Sequence, residues 1–300
     1  MLTRRACLFA AAAAVALEAR AETGVTLIVS HPSGLAHETG PGRPDRPERL
    51  RAALAALEAP RFSRLPRLEA PVASREAILA VHAPALLERL ERAAPTGGLA
   101  TLGPDLVMSR GSLEAALRAA GGGVAAVDSV MNGAARNAFV AMRPPGHHAT
   151  RESAMGFCFL NNAAIAARHA IAAHGAERIA IVDFDVHHGN GLQQIFWSER
   201  NVLYCSTHQA PLYPGAGARD ERGEYDNIVN MPLAKGDGGA RFAEAWRESL
   251  ARVDAFAPDL LLICAGFDGH LHDPLGGLRL ETRDFAELTL RLMEIAARRC

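Results

Sequence analysis

The sequence predicts an α/β protein whose sheet is mainly parallel. Short apolar runs of strand length recur along the chain, and stretches with helical spacing of apolar residues separate them. Two of these runs, at 179–182 and 260–265, are followed within three residues by an aspartate, Asp183 and Asp268. Polar residues at the carboxyl ends of buried strands are typical of parallel sheets, in which ligands bind at that edge. A chain of 300 residues, 49% of them hydrophobic, can bury the core of one ordinary enzyme domain.

Seven strands are predicted from runs of apolar and β-branched residues. They lie near 26–30, 67–72, 138–142, 179–183, 202–206, 228–232 and 260–265. Helical spacing predicts the principal helices at 46–58, 74–79, 84–93, 112–130, 162–174 and 284–299. The helix at 112–130 carries three consecutive glycines, at 121–123. Because glycines weaken a helix, their presence indicates close packing against a neighbouring element.

Three residues at the ends of two predicted strands are candidate metal ligands. Asp185 and His187 are two positions apart, so on an extended chain their side chains point to one face. A carboxylate and an imidazole are two of the three protein ligands that a catalytic zinc site needs. Asp268, which follows the apolar run 260–265, is the natural third ligand. A single aspartate after a strand is as often a turn or cap residue, but two such strands together favour a metal site.

Two adjacent histidines, His147 and His148, are candidates for acid–base chemistry. They follow the segment 143–146, Arg-Pro-Pro-Gly, in which the prolines stiffen the chain and the glycine permits a tight turn. Neutral imidazole near pH 7 is well matched to the work of a general base. A histidine pair is more often structural or exposed, but a predicted zinc site in the same chain favours catalysis. His82, by contrast, is expected to be structural.

Several motifs occur together and in one order along the chain. They occupy 47–50, 143–148, 156–162, 183–190, 213–215, 266–270 and 273–277. From about residue 26 onwards the sequence resembles the histone deacetylase, acetylpolyamine amidohydrolase and acetoin-utilisation superfamily of zinc amidohydrolases. The resemblance implies a three-layer α/β/α arginase–deacetylase fold with a mainly parallel sheet of eight strands. It also implies hydrolysis of an acyl amide by metal-activated water.

The resemblance implies a role for each matching residue. One zinc ion would be bound by Asp185, His187 and Asp268. Proton transfer would involve His147, oriented by Asp183, and His148, which has Asn190 behind it. Many members carry aspartate at this last position, and asparagine is similar to the class II branch. A structural monovalent cation, usually potassium, would lie at the backbone around three of these residues and one serine, namely Asp183, Asp185, His187 and Ser206.

The resemblance also implies a narrow tunnel for the substrate. Phe157 and Tyr213 would line it, and the carbonyl of Gly156 would face the amide nitrogen. Asp105 would be an acid at the rim that holds the substrate. The expected partner is therefore a small acylated amine or an acetyl-lysine, and the choice between them stays open, as does the oligomeric state.

The family's usual oxyanion donor has no counterpart in this sequence. That donor is a tyrosine in a Gly-Gly-Tyr turn, whereas Tyr204, Tyr213 and Tyr225 are the tyrosines of this chain and none has that context. The family's eighth strand lies between its third and seventh, here 138–142 and 260–265. Without it, two inner strand edges would lack a partner. We therefore expect a domain that is incomplete at its C-terminus, and one alternative is a zinc-binding protein without turnover.

Residues 1–21 resemble a twin-arginine signal peptide. Arg4 and Arg5 precede an uncharged alanine-rich stretch, which ends near Ala19-Arg20-Ala21. That stretch is too short for a transmembrane helix. We expect export to a bacterial periplasm and a single domain over 22–300. A misassigned start, and hence a cytoplasmic protein, is the alternative.

Composition excludes some other functions. The net charge is −1 and no basic stripe is present, so nucleic acid is not an expected partner. The five cysteines lack Cys-x-x-Cys spacing, which excludes a thiolate zinc site. A two-manganese ureohydrolase of the same fold is a weaker alternative, because it would need a Gly-Gly-Asp-His segment and further carboxylates.

Overall fold

Residues 25–300 are described by the structure, which is a computed structural model. The predicted signal peptide lies outside the described residues. Within this range the strands are β1 (Thr26–Ser30), β2 (Arg67–Glu69), β3 (Leu99–Gly103), β4 (Leu106–Ser109), β5 (Asn137–Ala141), β6 (Ile179–Asp183), β7 (Val202–Gln209), β8 (Ile228–Leu233) and β9 (Leu260–Cys264).

The helices of the same range alternate with these strands. They are α1 (Ser33–Ala36), α2 (Pro47–Leu57), α3 (Arg75–Leu79), α4 (Pro84–Ala93), α5 (Ser112–Met131), α6 (Asn162–His174), α7 (Asn190–Phe196), α8 (Gly239–Phe256) and α9 (Thr282–Arg299). A short 3-10 turn lies at Pro60–Phe62. Among these described helices, none is both long enough and apolar enough to cross a membrane.

Two parallel sheets carry the fold. One has the strand order β2-β1-β5, and the other has the order β8-β7-β6-β9. In the second sheet Asp183, the last residue of β6, lies opposite Ser206 of β7 and Cys264 of β9. The segments that follow β6 and β9 therefore leave the sheet side by side. The predicted parallel α/β class is confirmed.

Alternate residues of β6 enter two different hydrophobic cores. Ile179 and Ile181 pack with residues of α5 and α6, whereas Ala180 and Val182 pack with residues of α8 and α9. Because successive side chains of a strand point to opposite faces, helices cover both faces of this sheet. This is the three-layer α/β/α arrangement.

The glycines of α5 lie where neighbouring segments approach closely. An ideal Cβ on Gly121 would lie 2.6 Å from the backbone nitrogen of Ala73. One on Gly123 would lie 3.4 Å from the Cβ of Ala166 in α6. The predicted close packing of this helix is confirmed.

The strands β5 and β9 are end strands, each with one strand neighbour within residues 25–300. Phe139 of β5 and Ile263 of β9 are 40% and 37% exposed, whereas every residue of β6 is buried. These are the third and seventh predicted strands. The expectation of two inner edges without a partner strand is therefore confirmed for the described residues.

Three details of the strand prediction are wrong. No strand is predicted at 99–109, yet β3 and β4 form an antiparallel hairpin there, because turn-forming glycines and Pro104 mask two very short runs. The second strand ends at Glu69 instead of 72, because Pro71 lacks the N–H that a ladder needs. The strand predicted at 202–206 continues to Gln209.

Candidate active site

The three candidate metal ligands meet at the carboxyl edge of the second sheet. The Nδ1 atom of His187 lies 3.1 Å from Asp185 Oδ1 and 3.0 Å from Asp268 Oδ2. Asp268 is buried, and its other oxygen accepts a hydrogen bond of 2.9 Å from the backbone N–H of Val186. This bond fixes the segment after β9 to the segment after β6. Three side chains from two strands thus present one donor atom each to a common point.

The electrostatics of this point favour a cation. Burial alone would lower the pKa of His187, but its hydrogen bonds with Asp185 and Asp268 outweigh burial and raise that pKa to about 10. The two carboxylates beside one imidazole therefore stabilise a positive charge at the point where the three donor atoms converge. Two carboxylate oxygens and one imidazole nitrogen also form a donor set that zinc accepts. The residues fit a divalent metal ion.

The two adjacent histidines lie beside this point and are both buried. His147 shares its Nδ1 hydrogen with Asp183 Oδ2 at 2.9 Å, and His148 bonds through Nδ1 to Asn190 Oδ1 at 2.8 Å. Their ring centroids are 4.0 Å apart. His147 Nε2 is 3.9 Å from Asp185 Oδ2. With Nδ1 occupied in both rings, the Nε2 atoms are free for a substrate.

The two rings have opposite electrostatic environments. Burial would lower the pKa of His147, but the charges of Asp183 and Asp185 raise it to about 9. Burial and then the charge of His147 lower the pKa of His148 to about 2, since Asn190 brings no negative charge. Near neutral pH the first ring is therefore charged and the second is neutral. A ring bonded to a carboxylate and a ring bonded to an amide oxygen thus stand next to each other.

Asp183 is the hub of the polar network behind these histidines. Its Oδ2 accepts hydrogen bonds from His147 and, at 3.0 Å, from the hydroxyl of Tyr204. Its Oδ1 accepts from the backbone N–H of Asp185 at 3.2 Å. Ser206, the register partner of Asp183 in β7, is buried and bonds to His208 Nδ1 at 2.9 Å. The monovalent-cation site around these residues stays a prediction.

Two of the predicted tunnel residues, Tyr213 and Gly156, lie against the ring of His148. Tyr213 is 40% exposed, and its ring stands edge-on to His148 with the centroids 5.1 Å apart. Gly156 and Phe157 both have positive φ angles, of 57° and 64°, and form a tight turn. Asp105 accepts a hydrogen bond of 2.9 Å from the backbone N–H of Gly156. Asp105 thus holds this turn in place. The sequence predicted only that Asp105 would hold the substrate at the rim of the tunnel.

A buried ion pair lies at the start of the loop 143–148, called the histidine loop because it ends in His147 and His148, and it has no signal in the sequence. Arg143 donates from Nε to Asp45 Oδ1 at 2.6 Å and from one guanidinium nitrogen to the carbonyl of Gly34 at 2.9 Å. Asp45 also bonds to His37 at 3.2 Å. Burial opposes ionisation of Asp45, but the bonds with His37 and Arg143 outweigh it and lower the pKa. No spacing in the sequence links these distant residues.

His82 is completely buried and contacts the chain just after the histidine loop. Its Nδ1 lies 2.9 Å from the carbonyl oxygen of Thr150, and its Nε2 accepts from the backbone N–H of Asn161 at 2.9 Å. These partners fix the neutral tautomer with hydrogen on Nδ1. The expectation that His82 is structural is confirmed. It joins the end of the histidine loop to the start of α6.

Comparisons with known proteins agree with this geometry. The histone deacetylase domain family matches residues 43–300. A probable deacetylase of Archaeoglobus fulgidus is 39% identical over 283 residues, which are 92% of this chain and 78% of that protein. A histone deacetylase-like amidohydrolase of Pseudomonas aeruginosa is 40% identical over 242 residues, 79% of this chain and 63% of that protein.

The crystal structure of the HDA15 HD domain superposes with a TM-score of 0.87 at 34% identity. The superposition covers 92% of this chain and 81% of that one. The arrangement of strands and helices described above is therefore the histone deacetylase fold. The chain belongs to the histone deacetylase family.

Proposed function

We propose that this protein is a zinc-dependent amidohydrolase that removes acetyl or other acyl groups from an amine. The observation that carries the proposal is the convergence of Asp185, His187 and Asp268 beside two buried histidines, one bonded to a carboxylate and the other to an amide oxygen. A metal-binding point next to a proton donor and a proton acceptor is what amide hydrolysis requires.

In this proposal Asp185, His187 and Asp268 hold the zinc ion. Zinc there would polarise the acyl carbonyl and make a water molecule acidic near neutral pH. Because two of the three ligands are carboxylates, the site is more anionic than one built from histidines alone. Catalysis therefore depends strongly on proton transfer by the side chains around the metal.

Proton transfer is divided between the two histidines. Neutral His148 accepts the proton of the attacking water at Nε2, while its Nδ1 hydrogen is held by Asn190. Charged His147, held by Asp183, donates a proton to the departing amine. Asp183 keeps the ring of His147 in place and stabilises its charge, which is how a buried carboxylate commonly supports a catalytic imidazole.

The substrate is an acyl amine with a slender arm, either an acetyl-lysine or an acetylated polyamine. Support comes from the ring of Tyr213 and the backbone of Gly156, which both lie against His148, and from Phe157, which follows Gly156 in the same tight turn. Asp105 at this opening favours a cationic substrate. The same residue orders the turn at Gly156.

The test is hydrolysis of two substrates side by side, a fluorogenic acetyl-lysine peptide and acetylputrescine. We expect turnover of at least one, abolished by a chelator and restored by zinc. Asp268→Asn should abolish it, while substitution of the exposed Asp220 by asparagine should not. Turnover that survives complete metal removal would contradict the proposal.

A second candidate function is zinc binding without turnover. The observation in its favour is that none of the described tyrosines lies in a Gly-Gly-Tyr turn, the context of the family's oxyanion donor. Tyr204 is buried against Asp183, and Tyr225 contacts Arg200. Tyr213 is the tyrosine that approaches the histidine pair. One zinc ion per chain that is lost with Asp268→Asn, together with no hydrolysis of either substrate, would select this alternative.

We further propose export to the periplasm and a potassium ion near Asp183 and Ser206. The first rests on the twin-arginine pattern of residues 1–21 and is tested by fractionation of cells that express the chain with and without Arg4 and Arg5. The second is tested by comparing thermal unfolding in potassium and in tetramethylammonium salts. Equal unfolding temperatures would count against the cation.

A further inference from the structure

A second cluster of metal-ligating side chains lies in the helix layer and shares no residue with the candidate active site. Asp128 belongs to α5, and His169 and His174 belong to α6. The Nε2 atom of His169 lies 2.6 Å from Asp128 Oδ1, and that of His174 lies 2.7 Å from the same oxygen. The two rings stand nearly perpendicular, with centroids 5.7 Å apart. Three donor atoms on two helices thus converge on one point.

The helix pair holds these side chains on a rigid frame. Gly123 of α5 lets the helices approach closely at Ala166 of α6. Gly123 lies against Ala166, and five residues further along α5 Asp128 contacts His169, three residues further along α6. The two helices therefore run side by side, and the cluster sits near the C-terminal ends of both.

This position favours positive charge. His174 is the last residue of α6, and Asp128 lies three positions before the end of α5. The negative ends of two helix dipoles therefore lie close to the cluster, where they stabilise cations. Burial opposes ionisation of Asp128, but the hydrogen bonds with His169 and His174 outweigh it and lower its pKa. The carboxylate is thus ready to act as an anionic ligand.

The donor set suits a divalent transition metal. Two imidazoles and one carboxylate are ligands that zinc accepts in tetrahedral sites, where donor atoms lie about 3.4 Å apart. The present separations are shorter by roughly 0.7 Å, a difference that small rotations of the side chains would remove. The side chains of Asp128, His169 and His174 are 45%, 22% and 13% exposed, so they have room to rotate and water can complete the coordination.

We propose that Asp128, His169 and His174 bind a divalent transition-metal ion, with zinc as the natural probe, and that this ion clamps the ends of α5 and α6 together. The site is separate from the catalytic one, with which it shares no residue. The bound ion would hold α6 in place. This helix begins at Asn162, shortly after the turn at Gly156 and next to Asn161, whose backbone bonds to His82.

Zinc stoichiometry in a chain without the catalytic ligands tests the proposal independently of activity. In an Asp185→Ala, Asp268→Ala background, equilibrium dialysis should find one zinc ion per chain. His169→Ala together with His174→Ala should remove it. The matched control is Glu199→Gln. It breaks an ion pair with Arg168, which lies on α6 next to His169, and it should leave the zinc ion bound.

Two further measurements keep the outcome interpretable if the background folds poorly. In the otherwise unaltered chain, the same pair of histidine substitutions should lower bound zinc by one ion per chain. Zinc should also raise the unfolding temperature more in the Glu199→Gln chain than in the chain without the two histidines. Equal zinc content with and without His169 and His174 would overturn the proposal and leave only a hydrogen-bonded cluster.

Discussion

The backbone of Gly156 lies directly against the imidazole ring of His148. An ideal Cβ at this glycine would stand 2.6 Å from His148 Cγ, closer than real Cβ atoms come to any neighbour. The φ angle of Gly156 is +57°, which L-residues rarely adopt. The turn at Gly156 and the ring of His148 are therefore fitted to each other.

Gly156→Ala should consequently reduce turnover strongly while leaving the metal ligands intact. The added methyl group must push the His148 ring away from its bond with Asn190, or move the turn. We expect kcat to fall at least tenfold, with zinc content unchanged. Gly175→Ala is the matched control, because that glycine also has a positive φ angle but faces open space. Equal losses in both variants would show that the effect is backbone strain alone.

Metal binding and proton transfer should separate cleanly by mutation. Asp185→Ala removes one of the converging ligands, so the catalytic zinc and the activity should be lost together. His148→Ala should keep the zinc and lose activity by roughly a hundredfold or more, the usual contribution of a general base. Zinc content and kcat measured on the same preparations check this. A zinc-loaded His148→Ala protein with normal turnover would remove this histidine from its proposed role.

Asn190→Asp should shift the pH profile. A carboxylate hydrogen-bonded to Nδ1 of His148 would raise the pKa of a ring that is now held neutral. Because the base must be unprotonated, the acid limb of kcat/KM should move to higher pH. Asn162→Asp, on a neighbouring asparagine that bonds to the carbonyl of Pro144 instead, provides the comparison. An unchanged acid limb in Asn190→Asp would argue against His148 as the base.

His82 should make the fold sensitive to acid. Burial is the main cause that lowers its pKa from 6.5 to about 4, so it stays neutral in the folded state while the unfolded chain takes up a proton below about pH 6.5. Its contribution to the free energy of unfolding is therefore complete above that pH and declines as the pH falls towards 4. Near pH 5 the loss should reach about 2 kcal/mol.

The measurement is urea unfolding of the unaltered chain and of His82→Gln at about pH 7.5 and about pH 5. Glutamine does not titrate, so the stability difference between the two proteins should shrink at the lower pH. His31, which is partly exposed and directly follows β1, serves as the control position with the same substitution. A stability difference that is equal at both pH values would contradict the assignment of His82 as a buried neutral ring.

The local pattern predicted the strands that carry the candidate active site. The apolar run at 179–183 is a strand in which every residue is buried, and burial on both faces leaves no polar alternation to obscure it. The apolar run at 260–265 is the strand Leu260–Cys264, which is only partly buried. The hairpin of β3 and β4 was not predicted, since four or five residues between glycines carry too little periodicity. The boundaries of the predicted helices were close and α6 matches its predicted range, but α7 and α8 were not predicted.

The sequence by itself determined the family, the parallel α/β class and the identity of the residues gathered at the site, since each lies in a short motif at a strand end. Only the tertiary structure decided which distant residues meet them. Asp45 reaches Arg143, Asp105 reaches Gly156, and His82 reaches Asn161. The physical reason is that strand order and helix packing, which no local spacing encodes, set these contacts. The same holds for Asp128, His169 and His174. Positions five apart do not share a helix face by the usual rule, and their convergence depends on the end of α6 meeting α5.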